Sequence, residues 1–160
     1  MRTFVALAAL MLAGNVFAKD IPDKGFMEKA AKSAQMEVQM GRLAEQHATS
    51  PGVKQFAQRL VQDHQKAQQQ LQTLASARGL QLKQEEDKGH QGKLAKKQGA
   101  EFDKEFVKEA VKEHRKDVKT FEKEAKKAKD PEVRAWAEQT LPVLQEHLQI
   151  AERLEKEIGK

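Results

Sequence analysis

Three of the five histidines, His64, His114 and His147, and two acids, Glu37 and Asp117, stand at seam positions of a helical pattern, and they are the residues with chemistry to offer. Imidazole and carboxylate donors gathered in one interior suit zinc, copper or iron rather than calcium. The same five groups also fit a plainer arrangement, in which the histidines fill polar gaps in a seam and hydrogen-bond to Glu37 and Asp117. Buried polar groups must be paired whether or not a metal is present. The chain has no cysteine, which excludes disulfides, Cys-ligated zinc, iron–sulfur clusters, covalently attached c-type haem and thiol catalysis. Met27, Met36 and Met40 lie near Glu37 in sequence and would offer soft ligands to copper or an axial ligand to a noncovalent haem, against their commoner use as core filler.

Di-iron chemistry needs Glu-x-x-His pairs pointing inward from two helices. Val61, Val111 and Leu144 stand three residues before His64, His114 and His147, and none of them can ligate iron. Ferroxidase and oxygenase activities are therefore not expected. Asp63, Glu113 and Glu146, each just before a seam histidine, are about 100° around the helix and are expected at the bundle surface. His47, near a turn, and His90, in a glycine-bearing stretch, are expected to face water.

The elements that position these residues follow from an internal repeat. Residues 26–58 superpose without gaps on residues 106–138, a shift of 80. Phe26 falls on Phe106, Ala30 on Ala110, Val38 on Val118, Ala48 on Ala128, Pro51 on Pro131, Val53 on Val133 and Ala57 on Ala137. Glu37 and Asp117 are equivalent in the same register. Each unit reads as a helical hairpin, with Ser50-Pro51 and Asp130-Pro131 placing a capping side chain before a proline at the first helical position.

Spacings of four and three run through Val53, Ala57, Leu60, His64, Ala67, Leu71 and Leu74, and again from Val133 through His147 to Ile158. That is a heptad seam. Pro142 inside the last segment predicts a bend. The phenylalanines Phe26, Phe56, Phe106 and Phe121 and the lone Trp136 are expected in the core. Residues 76–100, with Gly79, Gly89, Gly92 and Gly99, are too long for a tight turn and read as a crossover along the bundle, so that the second and third long helices run parallel.

The fold class is all-α, a ferritin-like four-helix bundle of two hairpins joined by a long crossover. With 33% charged residues, nine glycines and four prolines in 160 residues, composition points the same way. Heights along the bundle can be counted from the turn prolines. Glu37 lies 14 residues before Pro51 and His64 lies 13 after it, so they should face each other. His114 and His147 lie 17 before and 16 after Pro131 and should also be level. At about 1.5 Å per residue both levels fall near mid-helix.

Met1-Arg2, the apolar run from Phe4 to Gly14 and the small residues of Val16-Phe17-Ala18 read as a secretory signal peptide over 1–18, leaving a bundle domain at 19–160. The run is too short for a membrane span, so a soluble periplasmic or secreted protein is expected, with no transmembrane segment after cleavage. The formal net charge is +5, but Lys96-Lys97 and Lys126-Lys127-Lys129 alternate with Glu122, Glu124 and Asp130. Solvated, ion-paired helix faces explain them. Nucleic acid is not an expected partner; an envelope surface or a protein is.

The stretches Glu37-Val38 with Gly41-Arg42-Leu43-Ala44, Val53-Lys54 with Phe56-Ala57, and Asp63-His64 resemble a large bacterial family of exported proteins of unknown function. So do Phe102-Asp103, Val111 with His114 and Asp117-Val118, and the run from Thr140-Leu141-Pro142 to His147-Leu148. The match spans roughly residues 24–155. The resemblance implies a ferritin-like four-helix bundle and no established reaction. Glu37, His64, His114, Asp117 and His147 coincide with its motif positions.

The expected function is that of a non-enzymatic binding or stress-related envelope protein with a His/carboxylate metal site. A metal-dependent enzyme and a metal-free interaction or chaperone-like module are the alternatives. An enzyme would need an open coordination position and a substrate pocket, and a module would work through its charged faces.

Overall fold

The computed structural model describes residues 20–83 and 88–159. The proposed signal peptide and the His90 side chain lie outside what is described. Five helices follow in order, α1 (Lys24–His47), α2 (Pro51–Ser76), α3 (Lys88–Leu94), α4 (Gly99–Lys127) and α5 (Pro131–Ile158). Among the described residues all regular structure is helical. The repeat carries into the boundaries, since α1 and α4 end at His47 and Lys127 and α2 and α5 begin at Pro51 and Pro131.

α1 packs on α2 and α4 on α5, and the two hairpins join through α1 against α4 and α2 against α5. Two long-range contacts fix the directions. Asp103, at the start of α4, accepts hydrogen bonds from Thr49 and Ser50 in the α1–α2 turn. At the opposite end, Arg78 just after α2 and Asp23 just before α1 both hold Asp130 in the α4–α5 turn. The second and third long helices, α2 and α4, therefore run parallel, and the connection between them, described over 77–83 and 88–98, joins opposite ends of the bundle. This is the expected four-helix bundle of two hairpins and one long crossover. Gly89 and Gly92 mark that connection as irregular, yet it winds into α3, and the buried Leu94 anchors it in the core. α5 runs unbroken through Pro142. No described helix is long and apolar enough to cross a membrane.

The two turn caps differ. Asp130 caps α5 as expected, its Oδ1 accepting from Glu132 N at 2.9 Å and Val133 N at 3.2 Å. Ser50 makes no side-chain cap. The turn before α2 is held by the buried carboxylate of Asp103, accepting from Thr49 N at 3.0 Å, Ser50 N at 2.8 Å and Thr49 Oγ1 at 2.6 Å. One side chain thus ties the first turn to the second hairpin. Asp103→Ala leaves these donors unpaired and is expected to destabilise the fold by about 2 kcal/mol. Urea denaturation reads this as a lower midpoint with an unchanged slope.

The apolar core falls into two clusters. One, toward the Asp103 end, includes Met40, Phe56, Leu60, Phe102, Phe106, Val111 and Ala151. The other, toward the Asp130 end, includes Phe26, Leu71, Phe121, Trp136 and Leu144, so the aromatic residues expected inside are inside. Where α1 crosses α2, Gly41 has no side chain because none fits. A Cβ there would lie 2.8 Å from Val61 Cγ2 and 3.2 Å from the Ala57 carbonyl oxygen.

Candidate metal centre

Between the two apolar clusters, all four long helices contribute polar residues to the interior. His64 follows Leu60 and precedes Leu71 on α2, His114 lies between Val111 and Phe121 on α4, and His147 lies between Leu144 and Ala151 on α5. Glu37 faces them from α1. Relative exposures are 4% for His64, 0% for His114 and His147, and 2% for Glu37. The heights counted from the prolines meet here.

His114 Nε2 is the hub, 3.4 Å from His64 Nε2 and 3.3 Å from His147 Nδ1. The three donor atoms lie within 4.8 Å of one another. Ligands about 2.0–2.1 Å from a tetrahedral ion stand roughly 3.3 Å apart, which matches the two hub distances. The far side of two rings is fixed. His114 Nδ1–H donates to the Ala110 carbonyl at 2.9 Å, and His147 Nε2–H donates to Asp63 Oδ2 at 2.9 Å. In a neutral imidazole the other nitrogen is then a bare lone pair. His114 Nε2 and His147 Nδ1 thus face each other as two acceptors, an arrangement that only a cation or a shared proton makes attractive. A histidine held by a carboxylate or carbonyl on its outer nitrogen is the usual support of a metal ligand.

Electrostatics disfavour the proton. Burial and the neighbouring imidazoles of His114 and His147 hold His64 well below its ordinary range. Burial, with His147, lowers His114 to about 3. Burial lowers His147 too, with Asp63 opposing. Glu37 is pushed the other way, well above the usual carboxyl value, by burial and by the Asp117 and Glu113 carboxylates. Its oxygens stand 3.1 Å from His64 Nε2 and 3.1 Å from His114 Nδ1, off the directions a hydrogen bond requires. Both are buried without a hydrogen-bond partner. Imidazole nitrogens and a carboxyl so placed are of the chemical types that hold a transition-metal ion.

Asp117 is buried but turns to Ser33, whose Oγ donates to its Oδ2 at 2.6 Å. Its side chain is one methylene shorter than that of its repeat equivalent Glu37; the converging group is the three histidines alone, with Glu37 beside it at 3.1 Å from His64 Nε2 and Asp117 turned away. Burial raises its carboxyl, and the Ser33 bond partly offsets this. Two expectations for the outer acids need correction. Asp63 is half-buried and bonded to His147, because α5 packs against the side of α2 that Asp63 faces. Glu113 is buried with its carboxylate between Lys112 and Lys116, which hold it below its ordinary value although burial alone would raise it. Glu146 is exposed and paired with Arg59 at 2.6 Å, and His47 is exposed. Met27, Met36 and Met40 pack in the two apolar clusters.

Two solved structures share the fold. CopM in the Cu(II)-bound form matches with a TM-score of 0.69 at 17% identity, covering 84% of this chain and 96% of that one. CopM in the Ag-bound form matches with a TM-score of 0.70 at 18% identity, covering 86% and 98%. No curated protein matches the chain. The family described as Domain of unknown function (DUF4142) matches residues 13–154, and the chain belongs to it.

Proposed function

We propose that this chain is an exported, ferritin-like helical-bundle protein that holds a single copper ion in its core. His64 Nε2, His114 Nε2 and His147 Nδ1 would be its nitrogen ligands and the Glu37 carboxylate its oxygen ligand. The observation that carries the reading is the pair of lone pairs facing each other at 3.3 Å beside an unpartnered buried carboxyl. Imidazole favours copper above the other divalent first-row ions, and the solved structures of like fold carry Cu(II) and Ag. In this reading residues 1–18 are a signal peptide and the mature domain begins at Lys19. Asp63 and the Ala110 carbonyl orient two ligands from outside. Asp117 stands beside the site rather than in it.

The test is direct. Protein recovered from the cell envelope, or exported during expression and loaded with Cu(II), should retain about one equivalent after dialysis against a weak chelator. At a free ion concentration about 1,000-fold above Kd the folded state gains about 4 kcal/mol, read as a rise in Tm of roughly 10 °C. Retention well below one equivalent, with melting unchanged by Cu(II), would refute the proposal. Because burial raises the Glu37 carboxyl above its ordinary value, ion binding should favour its deprotonated form and release protons, measurable with a pH indicator in weak buffer.

A further inference from the structure

The 80-residue repeat gives every site residue a counterpart in the other hairpin. Glu37 corresponds to Asp117, His64 to Leu144, Ala34 to His114 and Ala67 to His147. The counterparts are one acid, one leucine and two alanines, and all four line one small cavity of about 20 Å³, together with His64, Thr140 and Trp136. The void has a physical origin, since two imidazoles of one site are two methyl groups in its mate. It holds about one water or one bare ion. Its walls are not wholly apolar. Asp117 lines it, and Trp136, which lines it too, has its indole Nε1 buried without a hydrogen-bond partner.

The cavity also lies between the site and the surface. On one side it is bounded by His64, a proposed ligand. On the other, Ala67 and Thr140 form its wall and at the same time the floor of an open groove of about 210 Å³ between α2 and α5. Asp63 and Gln139 flank that groove. Ala67 and Thr140 are each only half-buried, whereas the four donor residues are at most 4% exposed. An ion cannot reach the donors without a way in, and here the groove and the cavity share Ala67 and Thr140 as lining residues.

We propose that copper enters and leaves the core through this cavity, passing between Ala67 and Thr140 and by the Asp117 carboxylate before it meets His64. The inference rests on the copper reading above and adds to it the route. The second hairpin's half of the duplicated site has become the anteroom of the first.

Trp136, the single tryptophan, lines the cavity and reports the passage. Stopped-flow mixing with Cu(II), and removal of the ion with excess EDTA, should both change its fluorescence. Ala67→Leu places a larger side chain in the opening from α2, and Thr140→Leu does so from α5. Each should slow uptake and release by about tenfold or more while Kd stays within about threefold, because a plug changes the barrier and not the end states. The Thr140 variant carries the test if Ala67→Leu does not fold. Native-like circular dichroism with wild-type rates in either variant overturns the route and leaves the copper site standing. A wild-type protein that takes up no Cu(II) overturns both.

Discussion

His114→Ala is expected to cost at least about 1,000-fold in copper affinity, more than any other single substitution in the core. Loss of a supporting residue around a metal ligand typically costs 10–100-fold, and His114 is the hub from which both short nitrogen–nitrogen distances are measured. Without its Nε2, His64 and His147 have no common neighbour to complete a trigonal or tetrahedral set. Asp63→Asn supplies the graded comparison. It keeps the shape of the bond to His147 but removes the charge, and is expected to weaken binding by about 10–100-fold. His47→Ala, at an exposed ring, should leave binding unchanged. Titration calorimetry on the three variants checks the order. Equal affinity in His114→Ala and wild type would place any bound copper elsewhere.

The second large effect is acid lability of the metal-free protein. His64, His114 and His147 all have pKa values lowered in the fold, His114 to about 3, with burial as the main cause. The unfolded chain binds protons at these groups below about pH 6.5 while the folded chain does not, so the unfolded state carries more protons and stability falls as pH falls. Glu37 and Asp117 have raised values and act in the opposite direction. Their contribution is fully present below their unfolded values and is lost as pH rises through the folded ones. As pH falls through about 4 both carboxyls become protonated in the unfolded chain too, and their effect on the slope fades. The imidazoles then set the slope together with Asp130 and Glu113, whose lowered values also cost stability as pH falls; each imidazole adds about 1.4 kcal/mol per pH unit while it is protonated only in the unfolded chain. Urea midpoints should therefore fall slowly from pH 6.5 to 4.5 and steeply toward pH 3. His114→Gln should flatten the steep part. A wild-type midpoint constant from pH 7 to 4 would contradict the burial argument.

Much of the architecture is legible in the sequence because it is written twice. The shift of 80 marks both hairpins, both turn prolines and the matched ends of α1 and α4. Counting from the prolines also brings Glu37 to His64 and His114 to His147, since an α-helix converts residue number into height with little error. What the count does not supply is azimuth beyond the seam. Asp63 reaches His147 only because α5 lies on that flank of α2, a neighbour relation that belongs to the packing of the whole bundle. Parallel α2 and α4 imply it, so the signal was present in the crossover. Asp117 occupies the position of Glu37 and ends on Ser33, because one methylene decides which partner a carboxylate can reach. Asp103, far along the chain from the turn it caps, leaves no local pattern to read. α3 forms where glycines argue against it, because Leu94 gains more from burial than Gly89 and Gly92 lose in chain entropy.

Gly41 sits one helical turn from Glu37, on the same face of α1. A single methyl group there would collide with Val61 and the Ala57 carbonyl, and neither a valine branch nor a backbone oxygen can fold aside. The spacing of α1 from α2, and with it the reach of Glu37 across to His64, is gauged by a hydrogen atom. The bore of the site, and so the ionic radius it accepts, is set by a residue that has no donor of its own. Gly41→Ala would act as a shim, spreading the hairpin and favouring a larger, softer ion over a smaller one without touching a ligand.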